Sequence, residues 1–303
     1  MRRLVLGVWI AIASVSGTAS AHDFWLYPAT YDAQPGTLAT SVMVGSILEV
    51  DELERDDKHI QRFEAVGPGA AIPATGVRGK KPAGYVELAD PGVYSIIYQS
   101  NYNLVELEPR RFDNYLAEEG LLDIIADREK RGEADKPGRD SFSRFAKALV
   151  RVGGAHDGFD RRSGMQTELV ALTDPFTGGE DGTLAFQFWY RDQPHAGSQV
   201  DLFAVARDKI TLVASTKTDA EGHARFVTPG LGHFMVAATG MRRAAPPVEG
   251  DWESSWASLS FQIVSLDGAA AKPKRSRFAL IAAVGTAVLL LGGWWWWKRR
   301  AKR

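Results

Sequence analysis

The sequence predicts a mainly β protein: two tandem immunoglobulin- or transthyretin-like β-sandwiches with a helical insertion, followed by one C-terminal transmembrane helix. Three observations predict it. Many short segments carry apolar or aromatic residues at near-alternate positions, separated by turn signals. Two of them echo each other: Pro91-Gly92-Val93-Tyr94-Ser95-Ile96 and Pro229-Gly230-Leu231-Gly232-His233-Phe234-Met235-Val236 each place a Pro-Gly turn before an aromatic-x-aliphatic strand. The middle of the chain instead carries helical periodicity.

In chain order, Met1 to Ala21 reads as a secretory signal peptide. Arg2 and Arg3 give a basic start, Leu4 to Ala13 an apolar run, and Ala19-Ser20-Ala21 a small-residue cleavage site. The expected first sandwich occupies residues 22–175. Its strand signals are Ala39 to Gly45, Gly84 to Leu88 and Val93 to Gln99. The helical insertion is expected over 109–150, with helices in Pro109 to Arg131 and Ser141 to Val150. Phe112, Tyr115, Leu116, Leu122, Ile125 and Ala126 fall on one side of the first, and Pro109 suits its first turn.

The second sandwich is expected over 180–266. Its strand signals are Leu184 to Tyr190, Gln199 to Ala206, Ile210 to Thr216, Ala224 to Val227, Phe234 to Ala238 and Trp256 to Val264, a spacing that fits a sandwich. Thr218-Asp219-Ala220-Glu221-Gly222 reads as a turn in which Asp219 bonds its local backbone and Gly222 takes positive φ. Trp252 and Trp256 read as packing residues. A linker (267–277) leads to residues 278–297, about 20 residues without charge and long enough to span a bilayer as a helix. Trp294 to Trp297 end it at the interface, and the basic tail 298–303 follows. With the leader delivering the body outward, the expected location is the inner membrane, single-pass, with a periplasmic ectodomain and a cytoplasmic C-terminus.

The net charge of −1 hides an asymmetry. With two leader cations and nine tail cations set aside, 25 Lys and Arg face 37 acidic residues in the ectodomain, a formal charge of −12. Such a body is unsuited to nucleic acid and raises the local concentration of cations. The chain has no cysteine, so disulfides and thiolate chemistry are excluded. No His-Glu-x-x-His, Gly-x-Ser-x-Gly or phosphate-cradling glycine loop is present, and the sequence is read as non-enzymatic. Asp51-Glu52, Asp56-Asp57 and Glu118-Glu119 read as solvated faces.

Cleavage after Ala21 makes His22 the mature N-terminus, where one residue offers an α-amine and an imidazole as a chelating pair. Their ordinary pKa values, about 7.7–8.0 and 6.5, let both deprotonate for a metal near neutral pH. Without thiolates, such a site suits nickel, cobalt, zinc or copper(II) better than soft copper(I). The second ligand must come from His59, His156, His195, His223 or His233. His233, at the start of a strand, is the first candidate, and His156, beside Asp157 in a glycine-rich loop, the second. The expected metal residues are therefore His22, His233 and His156. The alternative for His22 is an ordinary terminus ahead of an edge strand that starts at Phe24-Trp25-Leu26.

The chain resembles a NikM-like family of exported proteins, catalogued as domain of unknown function 4198. The shared pieces are Ala21 to Leu26, Phe112-Asp113-Asn114-Tyr115-Leu116-Ala117-Glu118-Glu119-Gly120-Leu121, Arg139 to Ala148, Glu168-Leu169-Val170 before Asp174-Pro175, the Thr-Asp-x-x-Gly turn and Asp251 to Phe261. The resemblance implies nickel or cobalt handling with an inner-membrane transporter component or another envelope protein as partner. The competing expectation is a non-catalytic envelope interaction or carbohydrate-binding ectodomain that holds no metal.

Overall fold

A computed structural model describes residues 23–269. The expected leader, His22, the expected transmembrane segment and the basic tail lie outside them. Among the described residues no helix is long and apolar enough to cross a membrane.

The first half runs β1 (Asp23–Pro28), β2 (Asp32–Ala33), β3 (Gly36–Gly45), β4 (Val50–Leu53), β5 (Ile60–Val66), β6 (Ile72–Pro73), β7 (Gly84–Leu88), β8 (Gly92–Ser100) and β9 (Asn103–Leu107). Two helices follow, α1 (Pro109–Glu118) and α2 (Leu122–Lys130). The rest is β10 (Gly138–Val152), β11 (Glu168–Ala171), β12 (Thr183–Tyr190), β13 (Gln193–Pro194), β14 (Gln199–Val205), β15 (Ile210–Lys217), β16 (His223–Val227), β17 (Gly232–Arg243) and β18 (Trp252–Ile263). The protein is mainly β, with 51% of residues in strands.

The two expected sandwiches share one sheet. Ten strands join in the order β15-β14-β17-β18-β10-β8-β5-β6, with β2 and β9 also on β10. The joint is a parallel pairing of β10 with β18, from Asp140 opposite Trp252 to Ala148 opposite Ser260. A four-stranded sheet, β1-β3-β4 with β7 on β3, covers one half. Phe24, Leu26, Leu38 and Val42 there meet Phe63, Ile96, Tyr98, Ala146 and Ala148 in a first core. A second four-stranded sheet, β11-β12-β13 with β16 on β12, covers the other half. Its Leu169, Leu184, Phe186 and Phe226 pack on Leu202, Val236, Leu259 and Phe261. β11, expected within the first domain, thus lies in the second core.

The expected helix at Ser141 to Val150, and with it the insertion as far as 150, is corrected by β10. Even-numbered Ala146, Ala148, Val150 and Val152 face the first core. Leu149 faces the second, and Phe145 packs with Ile97 and Met165. A strand buried on both faces loses its alternation, and its Ala, Ser and Leu content then imitates a helix. The helical insertion is α1 and α2 alone. Phe112, Tyr115, Leu116 and Ile124 are buried there against Trp252 and Met241, whereas Leu122 is exposed.

β1 is an edge by pairing, yet it is covered on both faces. Phe24 and Leu26 enter the first core, while Trp25 and Tyr27 meet Phe203 and Met235 on the back of β14 and β17. Two serines of β18 fasten it: Ser258 Oγ donates to the Phe24 carbonyl and Ser260 Oγ to that of Leu26, both at 2.6 Å. This wedged position places Asp23, the start of β1, beside the end of α1 and the start of β14.

Candidate functional site

The site forms where α1 stops. Gly120 ends the helix in the left-handed region (φ +69°), and Leu121 N–H reaches back to the Leu116 carbonyl at 2.8 Å. A Cβ at Gly120 would stand 2.6 Å from the Gln199 side chain, so only glycine lets this turn dock on β14. Gln199 Nε2 holds it by donating to the Glu118 carbonyl at 3.0 Å. The docking turns Glu119 inward, where it accepts from Thr239 Oγ1 at 2.6 Å. Glu119 is half-buried, in contrast to the solvated role its sequence context implies.

Asp23, Glu119 and Asp201 line one cavity of about 370 Å³, with the tip of the β3–β4 hairpin at Ile47 and Leu48 forming part of its wall. Among the described residues no Lys, Arg or His lines it. Asp201 Oδ2 accepts from Gln199 Nε2 at 3.0 Å, but its buried Oδ1 has no hydrogen-bond partner among the described residues. Burial, and then the charge of Asp201, pushes Asp23 up to about 7, partly offset by Arg144. Burial and then the charge of Asp23 push Glu119 up to about 8, against the Thr239 hydrogen bond. The carbonyl end of α1 is a further unfavourable neighbour for the Glu119 carboxylate. Arg144 stands close by, its guanidinium 4.9 Å from the centre of the Phe24 ring and 5.8 Å from that of Trp256. Burial lowers it to about 10, while Asp23 raises it.

The described histidines do not gather here. His22 is joined to Asp23 by one peptide bond but lies outside the described residues. His233 begins β17, opposite Gln262, with Nδ1 3.1 Å from Tyr27 Oη and its ring 5.2 Å from Tyr31. Burial lowers its pKa. Tyr27 is four residues along β1 from Asp23, roughly 13 Å at strand rise, so His233 marks the opposite end of that strand. His156 is engaged at both nitrogens. Arg151 Nη1 lies 3.2 Å from Nε2, and Asp174 Oδ2 lies 2.7 Å from Nδ1. Arginine only donates, so Nε2 accepts and Nδ1–H donates; Asp174, not Asp157, orients this ring. Among the described residues, one triple of metal-type side chains has ligand atoms within 4.8 Å of one another: Asp219, Glu221 and His223. There Asp219 Oδ1 already accepts from the Glu221 and His223 N–H groups and Oδ2 from Arg225, the turn role expected from sequence.

Sequence reasoning missed Glu119 and Asp201. The available signals were a glutamate immediately before the glycine that ends an amphipathic helix, and an aspartate amid the buried apolar residues of β14.

Fold and cavity together define a mainly β, two-core protein with an anionic cavity at the start of its first strand. The chain belongs to the family described as domain of unknown function (DUF4198), which matches residues 19–242 and so includes Asp23, Glu119, Asp201 and Thr239. No curated protein matches it. Similar solved structures are the D0-D1 domain of intimin (10% identity, 78% of this chain and 96% of that one, TM-score 0.20) and the D00-D0 domain of intimin (13%, 80% and 100%, 0.18). A marsupial T cell receptor is also similar (8%, 78% and 73%, 0.19). At these TM-scores none carries an argument about function.

Proposed function

We propose that the protein is a membrane-anchored periplasmic metal-binding accessory protein that captures a divalent transition metal and presents it to an inner-membrane transporter component. Nickel or cobalt is the first choice of metal, copper(II) the second. The observation that carries this reading is the convergence of Asp23, Glu119 and Asp201 on one cavity, one peptide bond from the residue that leader cleavage would expose.

The donor set fits. Asp23, Glu118, Glu119 and Asp201 make the lining acidic, and the raised pKa values of Asp23 and Glu119 record how unfavourable that crowding of carboxylates is without a cation among them. Asp201 Oδ1 is a buried acceptor without a donor, the kind of atom a cation satisfies. The His22 amine and imidazole would add nitrogen ligands, and a mixed nitrogen and oxygen set suits borderline divalent ions better than copper(I). In this reading the carboxylates complete the site and His233 does not. Anchoring through residues 278–297 would hold the loaded ectodomain at the membrane, within reach of a transporter.

Isothermal titration of the cleaved, detergent-solubilised full chain with nickel, cobalt and copper(II) tests it. Asp201→Asn and Glu119→Gln should each weaken binding at least tenfold, and His233→Ala should leave it unchanged. Loss of binding in His233→Ala with retention in both carboxylate variants would refute the assignment.

A further inference from the structure

A second cavity, of about 520 Å³, opens on the first sandwich where the large sheet parts. β10 pairs with β9 over Gly138–Phe142 and with β8 over Leu149–Val152. Between these ladders Ser100 Oγ, rather than a backbone carbonyl, accepts the Arg144 N–H at 2.9 Å. The parted stretch is roofed by polar side chains from β5, β8, the β8–β9 turn and the loop before β11.

The chemistry of this cavity is neutral. Gln61, Gln99, Asn101 and Gln166 supply carboxamides, which donate and accept from one planar group. Gln99 Nε2 donates to Gln61 Oε1 at 2.8 Å, which sets the two amides edge to edge and leaves the Gln61 N–H₂ and the Gln99 oxygen for a ligand. Among the described residues no hydrogen bond engages the Gln166 side chain. Ser143, only 3% exposed, lines the same cavity with its Oγ buried and, among the described residues, unpartnered. Among the described residues Arg62 is the one charged residue of the lining. Its guanidinium spends four of its five N–H groups on Glu64 Oε1 and on the Ser163 and Gly164 carbonyls, and its charge is compensated by the Glu64 ion pair. Tyr102, 43% exposed, presents its ring at the mouth, and its hydroxyl is pinned by a 2.6 Å bond to Glu253 Oε1.

We infer that this cavity is a binding site for a neutral saccharide. Sugar hydroxyls are paired donors and acceptors that match carboxamides and a spare serine hydroxyl. The C–H face of a pyranose matches a fixed aromatic ring. A phosphate or carboxylate would find no free cation here, and an apolar ligand would strand the amides. The volume lies within the range of small-molecule sites. The site is separate from the acidic cavity and does not depend on the metal reading.

The test is a glycan array of neutral di- and trisaccharides, with sialylated and sulfated glycans as charged controls. It is probed with the full chain in detergent, and hits are titrated calorimetrically. Binding of neutral glycans in preference to charged ones is expected. Gln166→Ala and Ser143→Ala should each weaken it about tenfold, the loss from one or two hydrogen bonds. Ser143→Ala removes a hydroxyl that has no protein partner, so it should leave the denaturation midpoint unchanged and separate binding from folding. No binding on the array, preference for charged glycans, or affinities unchanged in both variants would overturn the proposal.

Discussion

Asp140 links the helical insertion to the shared sheet, and replacing it by asparagine should change how stability depends on pH. Its carboxylate is 1% exposed. Oδ2 accepts from Tyr115 Oη at 3.2 Å and from Ser254 Oγ at 2.7 Å, while Oδ1 has no partner among the described residues. Burial raises its pKa from 3.8 to about 7, against the lowering effect of those two hydroxyls. Between these values the folded chain holds a proton that the unfolded chain has released. The contribution of Asp140 is therefore greatest at low pH and is lost as pH rises toward 7, by about 1.4 kcal/mol per unit at most. From pH 4.5 to 7.5 the loss integrates to about 3 kcal/mol. The Asp140→Asn variant keeps an acceptor for Tyr115 and Ser254 and removes the titration. Its new amide N–H₂, set where Oδ1 has no partner, adds a pH-independent cost of about 1–3 kcal/mol. The readout is thus the slope and not the offset: urea unfolding by tryptophan fluorescence across this range, with the wild-type minus variant difference falling by about 3 kcal/mol. A constant difference would show Asp140 ionised in the folded protein and refute the burial argument.

Three further outcomes follow from the packing. Gly120→Ala should cost about 2 kcal/mol or more, because alanine resists positive φ and its Cβ would meet Gln199; chemical denaturation checks it. Lys147 and Glu168 form a buried ion pair at 2.6 Å, and breaking it from either side should cost about 3–5 kcal/mol. Glu168→Leu should be the worse variant in urea melts, since Glu168 also accepts from Arg162 and from the Ser163 N–H and hydroxyl. Ser260→Ala should cost about 1 kcal/mol and raise hydrogen exchange along β1, because it frees the Leu26 carbonyl.

Strands with one solvated face were legible in the sequence. β7 alternates buried and exposed residues along Gly84–Leu88, and its limits match the expected segment. β10 was illegible as a strand because two cores claim its opposite faces, and nothing local distinguishes that burial from a helix. The end of α1 shows the same limit at the site. Phe112, Tyr115 and Leu116 announce a helix, but the inward turn of Glu119 depends on how Gly120 meets Gln199, a contact across 79 positions of chain. Asp201 looks like the outward residue of an alternating strand, and it becomes a cavity wall only because Asp23 and the end of α1 cover it. His233 and His156 do not line this cavity. Hydrogen bonds to Tyr27 and Asp174 explain His233 and His156 without a ligand.

The most direct test of the metal reading compares two full-length proteins, one beginning at His22 and one carrying a single extra residue before it. Each is titrated with nickel, cobalt and copper(II) and analysed for bound metal. Binding one ion per chain to the first, weakened at least tenfold in the second, is the predicted result. Equal affinity in the two proteins would contradict a site built from the mature N-terminus and the Asp23, Glu119 and Asp201 carboxylates.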